Sequence, residues 1–165
     1  MKKFLPGLVC GFGAAVFITV PGIKNYGFGC CLIIPLASIL SLFLYKRTDN
    51  SVLKIEAVTA VGFGFVTGII AAFFASFFDV LITFITRSNE FVTSLPYVES
   101  LFKSITSNPF IDYMFKIYKI MSAEITSTGF SAGYTLWVLA GNIIFFSIFG
   151  ILGGLMGMLF VNKKT

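Results

Sequence analysis

Few residues in this sequence are able to do chemistry, and Asp79 is set apart by its surroundings. It follows the uncharged stretch Ala57 to Phe78 and precedes the apolar run Val80 to Ile85. A carboxyl group flanked by long apolar sequence marks a functional site when it lies inside a membrane, where it suits a proton or cation carrier. A helix ending near Phe78 would instead leave Asp79 among wet lipid headgroups. Asn142 is the strong polar side chain of the last apolar block. It suits one of two roles: partner to Asp79, if the third and fourth blocks pack antiparallel, or hydrogen bonding to a neighbouring backbone.

The other constellations of chemistry are missing from the sequence. There is no histidine, so the usual triads, zinc sites and haem ligation are excluded. Cys10 falls within the first apolar block, and Cys30 and Cys31 are adjacent, which is not metal-ligand spacing. All three read as small packing residues. No phosphate-binding glycine loop occurs, because the G-x-G pairs lie within apolar stretches. The acids Asp49, Glu56, Asp79, Glu90, Glu99, Asp112 and Glu124 form no recognisable acid–base dyad. Neither an enzyme nor a cofactor or metal protein is expected. The net charge of +5 does not point to nucleic acid. Lys2 and Lys3, Lys46 and Arg47, and Lys163 and Lys164 flank apolar blocks, where bases set membrane orientation.

The elements that must position these residues follow from where charge is absent. Charged residues make up 12% of the chain against about 25% in ordinary soluble domains, and the deficit is concentrated in four blocks. This pattern predicts an all-α polytopic membrane protein with a single membrane domain, 1–165. The four spans lie at about 4–20, 28–45, 57–85 and 134–161, with an extracytoplasmic helical insert at 88–133. The N-terminal block resembles a secretory or lipoprotein signal. Val9 stands where a lipobox needs a small residue, and the apolar run passes Cys10 unbroken, so it reads as an uncleaved span. Pro6 sits in its first turn, and Pro21–Gly22 end it before a turn holding the interfacial Tyr26. Pro35 lies mid-span in the second block and should kink it, with Ser38 and Ser41 placed to satisfy freed backbone groups. Asp49 or Ser51 could cap the third span, which is longer than a bilayer is thick if it runs unbroken to Ile85.

Small residues recur at helical spacing along these blocks. Gly7 and Gly11 mark one face of the first span, and Gly64 and Gly68, flanked by Ala60 and Ala72, mark the third. The fourth carries Gly150, Gly153, Gly154 and Gly157. Such faces let backbones approach closely. The third and fourth spans are natural partners, so a leucine at Gly154 should overpack, whereas alanine should be far milder. Gly11-Phe12-Gly13 and Gly62-Phe63-Gly64 hint at a duplicated hairpin, but in a chain this rich in glycine and phenylalanine chance explains the echo better.

The insert reads as two short helices. In the second, Asn108 is the cap, Pro109 the first helical residue, and Gly129 and Gly133 punctuate the end. Phe110, Met114, Ile117, Met121 and Ile125 recur on one face opposite Asp112, Lys116 and Lys119. An amphipathic helix of this kind lies along the membrane surface or docks a partner.

In layout the chain resembles small four-span bacterial inner-membrane proteins of unknown function. The features that carry this are Lys2-Lys3, the Lys46-Arg47-Thr48-Asp49 loop, the insert 88–133 and the glycine-rich last span ending Asn162-Lys163-Lys164. The resemblance implies the bacterial cytoplasmic membrane, and it brings no catalytic residues. Two functions fit: a structural or accessory subunit packing on a membrane-protein partner or as a homo-oligomer through its glycine faces, or a small-solute or ion transporter or channel component using Asp79 and Pro35. The first needs fewer polar groups inside the spans. Orientation follows from the bases. With both termini cytoplasmic, the flanking lysines lie inside, while the insert, with four bases and four acids from Arg87 to Glu124, is neutral and translocates readily. Reporter fusions at Ser51 and Asn108 should read cytoplasmic and external respectively, and the opposite pattern overturns this topology.

Overall fold

The computed structural model describes residues 4–20, 29–48, 54–105 and 108–163. Lys2, Lys3, Lys24 and Lys164, the turn at Pro21 and Gly22 with Tyr26, and the capping candidates Asp49 and Ser51 lie outside the described residues. Among the described residues the chain is helical apart from short connections, with no strand. The helices are α1 (Leu5–Thr19), α2 (Gly29–Thr48), α3 (Ala57–Thr86), α4 (Glu90–Ile105), α5 (Pro109–Thr128) and α6 (Ala132–Lys163). Three of them, α2, α3 and α6, are long and apolar enough to cross a membrane; α1 is apolar but only 15 residues long. The expected four spans therefore stand as three by length, because 15 residues reach about 22 Å against a ~30 Å hydrocarbon core. Nor does α3 end near Phe78: it continues unbroken to Thr86.

Contacts divide the chain into two compact units, one of Met1–Phe78 with Leu139–Thr165 and one of Asp79–Val138. In the first unit the interior mixes small and hydroxyl side chains with several large apolar ones. Ala14, Ala15, Ile34, Ala71, Ala72, Ala75 and Phe146 form one core cluster. A second gathers Leu42, Tyr45, Ile55, Ala60, Phe63 and Val161. Ser38, Ser41, Thr67, Ser76 and Ser147 are buried as well, while Leu8, Phe17, Leu36, Phe65, Phe73, Phe145 and Leu152 face outward. So many bulky apolar side chains outside, with small residues and hydroxyls among those inside, is unlike a water-soluble domain.

The glycines explain how the helices come so close. A methyl group built on Gly64 would strike the carbonyl of Gly150, and one on Gly150 would strike the carbonyl of Gly64. Gly154 stands in the same way against the Ala60 carbonyl, and Gly68 against that of Phe146. Four residues up α3 thus match four residues down α6, so within this unit the two helices run antiparallel with backbones touching. The other glycines serve different neighbours. Gly11 lies against the Thr67 carbonyl, where an added methyl carbon would be 2.7 Å from the oxygen. Gly7 faces the Thr67 and Ser41 hydroxyls. Gly157 meets Ile39, and Gly153 abuts Pro35, whose carbonyl oxygen would lie 2.5 Å from an added methyl. α2 passes through Pro35 as one helix. Ser38 Oγ donates to the Ile34 carbonyl at 3.1 Å, rather than to Cys31, the carbonyl that Pro35 cannot serve. Ser41 Oγ has no hydrogen-bond partner among the described residues, so the expected repair by both serines is not what forms.

At one end of this unit a side chain stands in for backbone pairing. Asn162 Nδ2 donates to the Ile55 carbonyl and its Oδ1 accepts from the Ile55 N–H, both at 3.0 Å. Lys46 Nζ donates to the Val161 carbonyl at 3.1 Å, which suits a cation at a helix C-terminus.

The second unit is built on caps. Arg87 takes a left-handed conformation (φ 52°) and its N–H closes α3 onto the Thr83 carbonyl at 2.8 Å. Asn108 caps α5 by accepting from Phe110 N–H at 2.9 Å. Gly129 ends α5 at φ 81°, and a side chain there would also meet the Phe84 carbonyl at 2.6 Å. Gly133 does not end α5; it belongs to the first turn of α6, against Met121. The inner face of α5 is largely the expected one: Ile125 is buried and Met114, Ile117 and Met121 are half-buried, while Asp112, Lys116 and Lys119 are exposed. Phe115 and Ile125 are buried, whereas Phe110 is 67% exposed. The ring of Phe115 packs on Phe102 and Tyr118, which adds Phe115 to that face.

The expectation that alanine is mild at Gly154 does not survive this geometry, because the first carbon of any side chain already meets backbone. Gly150→Ala and Gly154→Ala should each lose about 1–3 kcal/mol of stability in thermal melts in detergent. Gly62 and Gly141 face open space, so alanine there should be neutral or should raise stability by up to about 1 kcal/mol. Equal melting of all four variants would refute the close packing.

Candidate functional site

The site begins with Asp79, a half-buried residue two turns before the end of α3. Its Oδ2 accepts a hydrogen bond from the Tyr134 hydroxyl at 2.7 Å. Tyr134 is held for this purpose by the start of α6. Ser131, itself buried, caps the helix as its Oγ accepts from Tyr134 N–H at 3.4 Å, and its carbonyl accepts from Thr135 N–H at 3.0 Å. The Tyr134 ring then stacks beside Phe91 of α4 with centroids 5.4 Å apart.

Thr83 lies one turn after Asp79 on the same face of α3 and is 3% exposed. Its hydroxyl adjoins that of Tyr134 and accepts from Asn89 Nδ2 at 3.2 Å. The Asn89 Oδ1 in turn accepts from Val92 N–H at 2.9 Å, capping α4. Asp79, Tyr134, Thr83 and Asn89 thus form a polar chain that ties the start of α4 and the start of α6 to the last turns of α3. Glu90 contributes a second negative charge near the Tyr134 hydroxyl. The set has a carboxylate, a phenol, a hydroxyl and an amide. It suits binding of a proton or a small cation as well as a purely structural role.

Asn142 has a separate role in the first unit, where its Nδ2 donates to Ser76 Oγ at 2.9 Å. The two intramembrane candidates therefore have different partners, Tyr134 for Asp79 and Ser76 for Asn142. Three hydroxyls of the first unit, Ser41, Thr67 and Ser147, are buried with no hydrogen-bond partner among the described residues. Cys10 is buried and Cys31 half-buried. Among the described residues no group of three or more potential ligands is placed to hold a metal ion.

Sequence reading found Asp79 by its isolation but missed its partners. Tyr134 reads as an interfacial aromatic, and nothing local links it to a residue 55 positions away. Thr83 was within reach, since an i, i+4 hydroxyl beside an intramembrane carboxylate shares its helix face. Tyr134→Phe deletes this hydrogen-bond donor to Asp79. It should lower thermal stability by about 1–2 kcal/mol, and Thr83→Val, which also strips Asn89 of an acceptor, should add to the loss less than additively. Full additivity or no loss in Tyr134→Phe would show that the chain of contacts does not act as one. Comparison of the sequence with family models and curated proteins, and of the structure with solved structures, finds no match to this chain.

Proposed function

We propose that this chain is a four-span protein of the bacterial cytoplasmic membrane, with both termini cytoplasmic, that serves as a structural or accessory subunit for a membrane-protein partner or for further copies of itself. It has no catalytic role. The fourth span is α1. Although short, it packs Gly7, Gly11, Ala14 and Ala15 inward and turns Leu5, Leu8, Phe12, Val16 and Phe17 outward, as a lipid-facing helix does. Its length is made up by local thinning of the bilayer or by flanking residues.

One observation carries the subunit reading, and it also moves the contact surface. Gly64, Gly68, Gly150 and Gly154 are used up between α3 and α6, and Gly7, Gly11, Gly153 and Gly157 are likewise covered by the chain's own helices. Gly13 is different: nothing lies within 4 Å of a methyl built there. It opens on a groove of about 400 Å³ between α1 and α2, with Cys10, Ala14 and Ala37 as a small-residue floor and Phe17, Leu36 and Leu40 at the rim. A floor of small residues between bulky walls admits a helix from outside.

Purification from the native membrane in mild detergent should yield either a second chain or a defined oligomer of this one. Gly13→Leu should abolish that association with melting little changed, since a methyl built at Gly13 meets nothing within 4 Å among the described residues. A monomer from both the parent and the variant would overturn the subunit reading and favour the alternative, a transporter or channel component using Asp79.

A further inference from the structure

We propose that the groove between α4 and α5 binds the phosphodiester headgroup of an anionic phospholipid through Lys103, Lys116 and Lys119. The inference rests on the membrane reading above, and on geometry that reading does not use.

The groove holds about 460 Å³ and lies wholly within the second unit. Its centre is Glu99, whose side chain is 14% exposed. One oxygen of that carboxylate, Oε1, receives both Lys103 Nζ and Lys119 Nζ, each at 2.7 Å. The two ammonium groups are therefore drawn to within twice that distance of each other, although like charges repel. Each has three donors, of which the bond to Glu99 uses one. Two ammonium groups at this spacing match the two non-ester oxygens of a phosphodiester, which can accept from both at once. The pairing also holds Glu99 below the ordinary glutamate range, first through its hydrogen bonds to Lys103 and Lys119, so the clamp persists at neutral pH.

Charge and shape then select the ligand. Lys116 opens on the same groove one turn before Lys119, and Asp112 lines the opposite end. Three lysines against Glu99 and Asp112 leave one positive charge in excess, so the groove prefers an anion. Asp112 is left to accept from headgroup hydroxyls. The remaining wall is apolar: Phe115 is buried beneath the lysines, while Ile120 is 54% exposed beside them. On the same pair of helices Phe102, Ile105 and Tyr113 are exposed, Ile105 at 79%. Ammonium groups beside uncovered apolar side chains suit an amphiphile, where a free phosphate ion would use the lysines alone.

The test uses the full chain in neutral detergent and measures binding isotherms for short-chain phosphatidylglycerol, short-chain phosphatidylcholine and inorganic phosphate. Phosphatidylglycerol should bind best, and Lys119→Gln and Lys116→Gln should each weaken it about fivefold. Lys116→Gln leaves both bonds to Glu99 in place, so its effect is not a folding defect, and equal melting of that variant verifies this. Lys163→Gln, in the other unit, should bind like the parent. Phosphatidylcholine binding as tightly, inorganic phosphate competing at equal concentration, or unchanged affinity in Lys116→Gln would each overturn the proposal. A protein that stays soluble without detergent would instead overturn the membrane reading itself.

Discussion

The first unit depends on the contact in which the backbones of α3 and α6 meet at Gly64 and Gly150. Each glycine's α-carbon faces the other's carbonyl, and neither position has room for a side chain. In lipid there is no hydrophobic gain in bringing two apolar helices together, so dispersion and weak Cα–H···O contacts must hold them, and both require close approach. The contact repeats at Gly68 with Phe146 and Gly154 with Ala60, which fixes register as well as distance. Once register is set, polar groups find partners without a search. Asn142 reaches Ser76, and Asn162 reaches the backbone of Ile55.

The same constraint explains the partition of side chains. Helices packed this tightly have interior space for alanine, glycine, serine and threonine, so bulky residues such as Phe73 and Phe145 are turned outward. Among the five buried hydroxyls of this unit, Ser38 and Ser76 bond a carbonyl or a neighbouring side chain. Ser41 and Thr67 do not, and both lie beside Gly7. An unmade bond of this kind costs about 1–3 kcal/mol, which marks this point as one where the fold trades stability for a small, polar interior. The second unit is organised differently. It relies on caps at Asn89, Asn108, Gly129 and Ser131, and on the bond from Tyr134 to Asp79, so its order comes from turns and hydrogen bonds more than from close backbone contact.

Much of this was legible before the structure, for reasons tied to particular residues. Charge-free length locates α2, α3 and α6, and the Asn108-Pro109 pair marks the start of α5, because both are local signals. Gly64, Gly68, Gly150 and Gly154 can be read as a close-packing pattern from their spacing. Which helix each glycine faces cannot be read, since Gly153 turning to Pro35 and Gly11 to Thr67 depend on how four helices share space. The end of α3 near Ile85 could be read from the apolar run Val80 to Ile85, whereas the bond that Asp79 accepts from Tyr134 could not. On α5 periodicity places Met114, Ile117, Met121 and Ile125 on the inner face, but it does not tell that Phe110 is left exposed and Phe115 buried. Only the rings of Phe102 and Tyr118 decide between them.

The central claim is that the glycines of α3 and α6 close on each other within one chain. Solid-state NMR in lipid bilayers tests it directly, using carbon labels restricted to Gly64 and Gly150 and labelled protein diluted into an excess of unlabelled protein. A through-space correlation between the α-carbon of one glycine and the carbonyl carbon of the other, undiminished by dilution, is the predicted result. A correlation that is absent, or that fades as labelled chains are separated, would place those glycine faces against lipid or against a second molecule and contradict the account.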